Sequence, residues 1–85
     1  MTLQEFIEQH DTHSFVKRNL EKMNECIFMQ TQTHGKEFED HLRQANNYYF
    51  TIYGYLYATY GHGDISDDDC ESLVNELMEL FKAQK

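Results

Sequence analysis

The sequence predicts an all-α fold: a small helical bundle of three main helices plus a short N-terminal helix, with a long antiparallel helical hairpin at its centre. Three observations carry that expectation. Apolar residues recur at alternating steps of three and four through successive stretches, which keeps them on one helical face. Proline is absent from all 85 residues. The segment Glu37 to Tyr60 reads as one long helix, with Phe38, Leu42, Ala45, Tyr49, Ile52, Leu56 and Thr59 on a single stripe.

Taking the elements in order, Thr2 is placed to cap a first helix that ends near His10. Glu5 completes the capping box, and Leu3, Phe6 and Ile7 form the apolar face. Asp11 or Thr12 then starts a second helix running to about Thr33, with Val16, Leu20, Met23 and Ile27 on its stripe and Phe15 beside it. Gly35 is positioned to end that helix and reverse the chain. The second and third helices should therefore pack as an antiparallel hairpin.

The third helix is apolar round more than half its circumference, and all six tyrosines fall between Tyr48 and Tyr60. Tyrosine, phenylalanine, threonine and isoleucine also favour strands, so a hairpin turning at Gly54 is the rival reading. A lone hairpin is marginal in water and nothing else in the chain reads as a strand, so the helix is preferred. Asn47, Thr51, Gly54 and Ala58 form a strip of small side chains suited to close approach by a second helix, of this chain or of a second copy. Gly61, His62 and Gly63 end the element.

The fourth helix has the clearest start. Ser66 caps it, Asp67, Asp68 and Asp69 suit the positive end of the helix dipole, and Ile65 with Cys70 forms a hydrophobic staple. Cys70, Leu73, Val74, Leu77 and either Leu80 or Phe81 line its apolar face, and Lys82 to Lys85 make a cationic tail. Residues 1–85 form one domain without repeats or linkers, and at this length folding buries only about 60–65% of the unfolded chain's surface.

Charge bounds the partners. The formal net charge is −8, and it is unevenly placed: residues 1–36 hold five acids against four bases, residues 37–85 ten against three. That balance disfavours direct nucleic-acid or anionic-membrane binding and favours a basic protein surface. The basic cluster Lys17, Arg18, Lys22 is interleaved with Glu21 and Glu25 and reads as a solvated face. No run is apolar enough for a membrane span, and the N-terminus lacks a signal-peptide layout, so a cytoplasmic protein is expected. Cys26 and Cys70 read as reduced, packed thiols.

Metal and catalytic chemistry find little support. Placing Asp64, Ser66 and Asp68 on a calcium-loop template puts Asp69 where glycine belongs and Asn75 where the bidentate glutamate belongs. The five histidines lack zinc or di-iron spacing. There is no phosphate loop or nucleophile elbow. No cofactor, metal site or enzymatic activity is therefore expected.

The expected function is that of a small acidic helical binding protein, an inhibitor, adaptor or regulator occupying a basic surface on a partner. Its size, charge and helix content are those of small phage or mobile-element inhibitors of nucleic-acid-handling proteins. Asp64, Asp67, Asp68, Asp69 and Glu71 would carry the charge, and Tyr48, Tyr55 and Tyr57 would be exposed anchors. The alternatives are a homodimer module built on Asn47, Thr51, Gly54 and Ala58, or an immunity-type protein that neutralises a toxin.

Overall fold

The computed structural model describes residues 1–83; Gln84 and Lys85, the end of the cationic tail, lie outside them. Among the described residues there are four α-helices, α1 (Leu3–His10), α2 (Phe15–Gln30), α3 (Lys36–Gly61) and α4 (Asp67–Ala83), with a 3₁₀ turn at Thr12–Ser14 between α1 and α2. At 1.5 Å per residue the 26 residues of α3 span about 39 Å, close to the molecule's longest dimension of 43 Å. The protein is as long as this one helix.

The termini of α1, α3 and α4 form as the residue types dictate. The Thr2 hydroxyl accepts the Glu5 amide at 3.1 Å while the Glu5 carboxylate accepts the Thr2 amide at 3.4 Å, completing the box. Ser66 Oγ accepts the Asp69 amide at 3.1 Å, and buried Ile65 and Cys70 close the staple behind it. At the end of α3 the Asp64 amide reaches back to Thr59 O and the Gly63 amide to Tyr60 O, with Gly63 at φ +81°. This is a Schellman closure, which calls for glycine at the left-handed position.

The boundaries of α2 differ from those expected. The helix begins at Phe15, because His13 and Ser14 adopt left-handed conformations (φ 58° at each) that interrupt any helix started at Asp11 or Thr12. Asp11 still caps α2, from across the turn: its carboxylate accepts the Val16 amide at 2.7 Å and the Lys17 amide at 2.9 Å. At the other end α2 stops at Gln30, three residues before Thr33, where Thr31 and Thr33 hydroxyls take the carbonyls of Phe28 and Met29. Gly35 does not end α2 but sits immediately before α3, its φ of 65° turning the chain into the new helix.

Packing follows the predicted hairpin, with α2 and α3 in close antiparallel contact and α4 laid along the C-terminal half of α3. The core runs through Phe6, Val16, Met23, Ile27, Ala45, Ile52, Leu56, Leu73 and Leu77, which put one stripe from every helix into a single cluster. Phe81 settles the register of α4: it is the buried residue of the Leu80/Phe81 pair and lies 4.9 Å from Tyr49, ring centre to ring centre. Short polar ties hold α1 down on α4. Glu76 Oε1 accepts the Leu3 amide at 3.0 Å, and Ser72 Oγ donates to Met1 O at 3.4 Å.

The hairpin tip is built differently. None of residues 36–44 of α3 is buried, and Phe28, Met29 and Phe38 are exposed there. Gln30 is the only buried polar residue among those described, and its Oε1 has no hydrogen-bond partner, nor has the buried Nδ1 of His41. No helix among the described residues is long and apolar enough to cross a membrane.

Candidate functional site: an acidic helix junction

The junction between α3 and α4 is held from three sides, and the acidic residues ride on it. The Schellman closure fixes Gly63 and Asp64, the Ser66 cap fixes the first turn of α4, and the chain's N-terminal ammonium lies 3.4 Å from Asp69 Oδ1. On this frame Asp64, Asp67, Asp68 and Glu71 are all exposed, and none makes an ion pair among the described residues. Asp64 also borders a shallow polar cleft with Glu8, Gln9, His10, Asp11 and Thr12, so α1 adds its own acids to the same end of the molecule.

Asp69 belongs to the scaffold more than to the surface. It is half-buried, its amide is committed to Ser66 and its carboxylate faces the N-terminus.

The three tyrosines expected to act as anchors part company. Tyr55 is half-buried and not exposed: its ring stacks on Phe15 at 5.1 Å, meets Phe6 edge-on at 6.1 Å, and its hydroxyl donates to His10 O at 3.2 Å. It ties α3 to both α1 and α2. Tyr48 is half-buried on the α2 side, lining a groove with Phe15, Arg18, Asn19 and Lys22. Only Tyr57 is exposed, at 44%. Tyr60, which was not among the expected anchors, is exposed beside the acids.

Electrostatics tie these two rings to the junction. Hydrogen bonding to the Asp67 carboxylate, and that carboxylate's charge, push the Tyr60 hydroxyl above the usual tyrosine range. The Tyr57 hydroxyl is pushed up chiefly by its hydrogen bond with Tyr53, with smaller contributions from Cys70 and Glu71. Both rings therefore present protonated hydroxyls next to carboxylates at neutral pH. Burial raises the Cys70 thiol, with Asp67 adding to the shift, so Cys70 is a packed thiol and a poor nucleophile.

The small-residue strip is open. Asn47, Thr51, Gly54 and Ala58 are all exposed, and a Cβ built on Gly54 would meet nothing within 4 Å. Among the described residues no helix makes the close approach the strip would allow. Among the described residues, no three His, Cys, Asp or Glu side chains gather where they could hold a metal ion.

Compared with protein-family models, curated proteins and solved structures, the chain has no match in any of the three.

Proposed function

We propose that this chain is a small acidic binding protein that docks its α3–α4 junction onto a basic surface of another protein. The observation that carries the reading is the grouping of Asp64, Asp67, Asp68 and Glu71, exposed and without ion pairs among the described residues, on a junction fixed by two caps and the N-terminal ammonium. Rigid placement matters because binding then costs little side-chain or loop ordering. Charge of one sign steers a cationic partner during encounter, and Tyr57 and Tyr60 alongside supply apolar area with a polar tip, the type of residue that dominates interface energetics.

The array offers a protein what nucleic-acid phosphates offer it, several negative charges on a fixed frame. A nucleic-acid-handling protein is accordingly the target class that fits best, with this chain acting as inhibitor or regulator. A basic toxin is a target of the same chemistry.

The test is a low-salt pull-down comparing the wild type with a triple Asp64→Asn, Asp67→Asn, Asp68→Asn variant. Asp69 is left in place because it faces the N-terminus. A basic protein retained by the wild type, lost by the variant and released by added salt is the expected result. Equal retention by both proteins contradicts the reading.

A further inference from the structure

The solvent face of α3 carries a second pattern, which shares Tyr57 with the proposed docking surface and ends beside the junction acids. Arg43, Asn47, Phe50, Gly54, Tyr57 and Gly61 follow one another at alternating steps of four and three, and all six are exposed. This is the spacing of a two-helix seam, turned outward. Large and small residues alternate along it. Phe50 is 61% and Tyr57 44% exposed, and each is braced from behind: Phe50 lies edge-on to Tyr49 at 5.1 Å, and Tyr57 lies 4.7 Å from Tyr53. From Gln44 to Gly63 the chain has no Asp, Glu, Lys or Arg, although its net charge is −8.

We propose that this face binds a second copy of the chain, as an antiparallel α3–α3 pair with its two-fold axis at Gly54. The residue pairing produced by that axis is self-complementary. Phe50 of one copy comes opposite Ala58 of the other, Tyr57 opposite Thr51, and Asn47 opposite Gly61, so each large or polar side chain meets a small one. At the axis the two Gly54 positions face each other, and nothing within 4 Å of either Cβ position obstructs the approach. A symmetric dimer requires an interface of this self-matching kind.

Charge agrees with the direction. One end of the seam carries Arg43, exposed and paired only with neighbouring Asp40 at 3.3 Å; the other end adjoins exposed Asp64, Asp67 and Asp68. An antiparallel pair brings Arg43 of one copy towards the C-terminal end of α3 in the other, so the cationic end of each seam meets the acidic end of its partner. A parallel pair would place acids on acids. A cationic foreign partner gains nothing from the uncharged middle of the face, whereas two copies of an acidic protein need such a stretch to come together.

The size of the patch sets the strength. Phe50 and Tyr57 together expose roughly 200 Å² of ring surface, about a quarter of what one partner brings to a standard interface. The dimer is therefore expected to be of micromolar affinity and concentration-dependent.

Sedimentation velocity from about 1 µM to about 1 mM tests this, comparing the wild type with Gly54→Leu and Phe50→Glu. Leucine is the better helix former and has free space at residue 54, so that variant keeps its fold, which its helical circular dichroism checks. The wild type should shift from monomer to dimer across the range, with both variants at least tenfold weaker. Arg43→Glu should weaken the dimer, and Asp64→Lys added to it should restore part of the loss. A wild type that stays monomeric throughout overturns the proposal and leaves the face to a different protein; so does a Gly54→Leu variant that dimerises as well as the wild type. The docking reading is tested separately, by capture of another protein, so either proposal can fail while the other stands.

Discussion

The two ends of the α3 helix live in different surroundings. Its C-terminal half, from Tyr49 to Gly61, is packed by α1, α2 and α4 and contributes Ile52 and Leu56, both fully buried. Its first turns, residues 36–44, lie beyond the end of α4, bury nothing completely, and share their end of the molecule with an unpartnered Gln30 Oε1 and His41 Nδ1. One continuous helix thus joins a well-supported end to a lightly supported tip. The acids that are proposed to bind a partner sit on the supported end, where a surface keeps its shape.

Breaking the supported end should have the largest effect. Leu56→Ala is expected to cost about 2–5 kcal/mol, since the side chain is fully buried at the meeting of three helices. Urea denaturation measures it, and for a chain this short such a loss approaches the whole stability. The same truncation at the tip, Leu42→Ala, removes a half-buried side chain and should cost about 1 kcal/mol. Equal losses at the two positions would erase the distinction. Ser66→Ala should likewise cost about 1 kcal/mol by freeing the Asp69 amide, and should loosen the acidic junction with it.

The two thiols sharpen the comparison, because one lies at each end. Burial raises Cys26, beside Gln44 near the tip, and Cys70, at the start of α4, above the ordinary thiol value of 9.0. Both stay protonated at neutral pH, so alkylation reports opening more than intrinsic reactivity. Cys26 should be labelled faster than Cys70.

Alkaline pH acts on both ends together. Cys26, Cys70 and Tyr49 all have raised values in the fold, from 9.0 for the thiols and 10.0 for the tyrosine. Below about pH 8 the groups are protonated in both states and their contribution is fully present. As pH rises past those ordinary values the unfolded chain ionises first, and the stability contribution is lost until the folded groups titrate too. Denaturation midpoints should therefore fall between pH 8 and pH 10.5. The smallest effect is expected at Phe28, 63% exposed, where replacement by serine should change stability by no more than about 0.5 kcal/mol.

The supported end was also the more legible one in the sequence. The Thr2–Glu5 box, the Ser66 cap with Ile65 and Cys70, and the Gly63 closure are local motifs whose partners lie within five residues, and each formed as its residue types require. The start of α2 was misplaced because the left-handed His13 and Ser14 carry no glycine to announce them, and Asp11 caps from across a turn. The tyrosines were harder for a different reason. Helical periodicity gives the angle of Tyr55 about the axis, but it turns inward because Phe6 and Phe15, far away in sequence, close around it. Tyr60 and Phe50 are outside because no helix arrives to cover them. The exposure of Asp64, Asp67, Asp68, Glu71 and Tyr57 was legible in the sequence, whereas the partial burial of Asp69, Tyr48 and Tyr55 was not, since only the packing of α1, α2 and α4 and of the N-terminus decides it.

Amide hydrogen exchange along α3 tests this account most directly. The amides of Ile52, Tyr53 and Leu56 should exchange only through global unfolding, while those of Glu39 to Arg43 exchange orders of magnitude faster through local opening of the tip. Uniform protection from one end of α3 to the other would contradict the division between a supported end that carries the acidic surface and a lightly held tip.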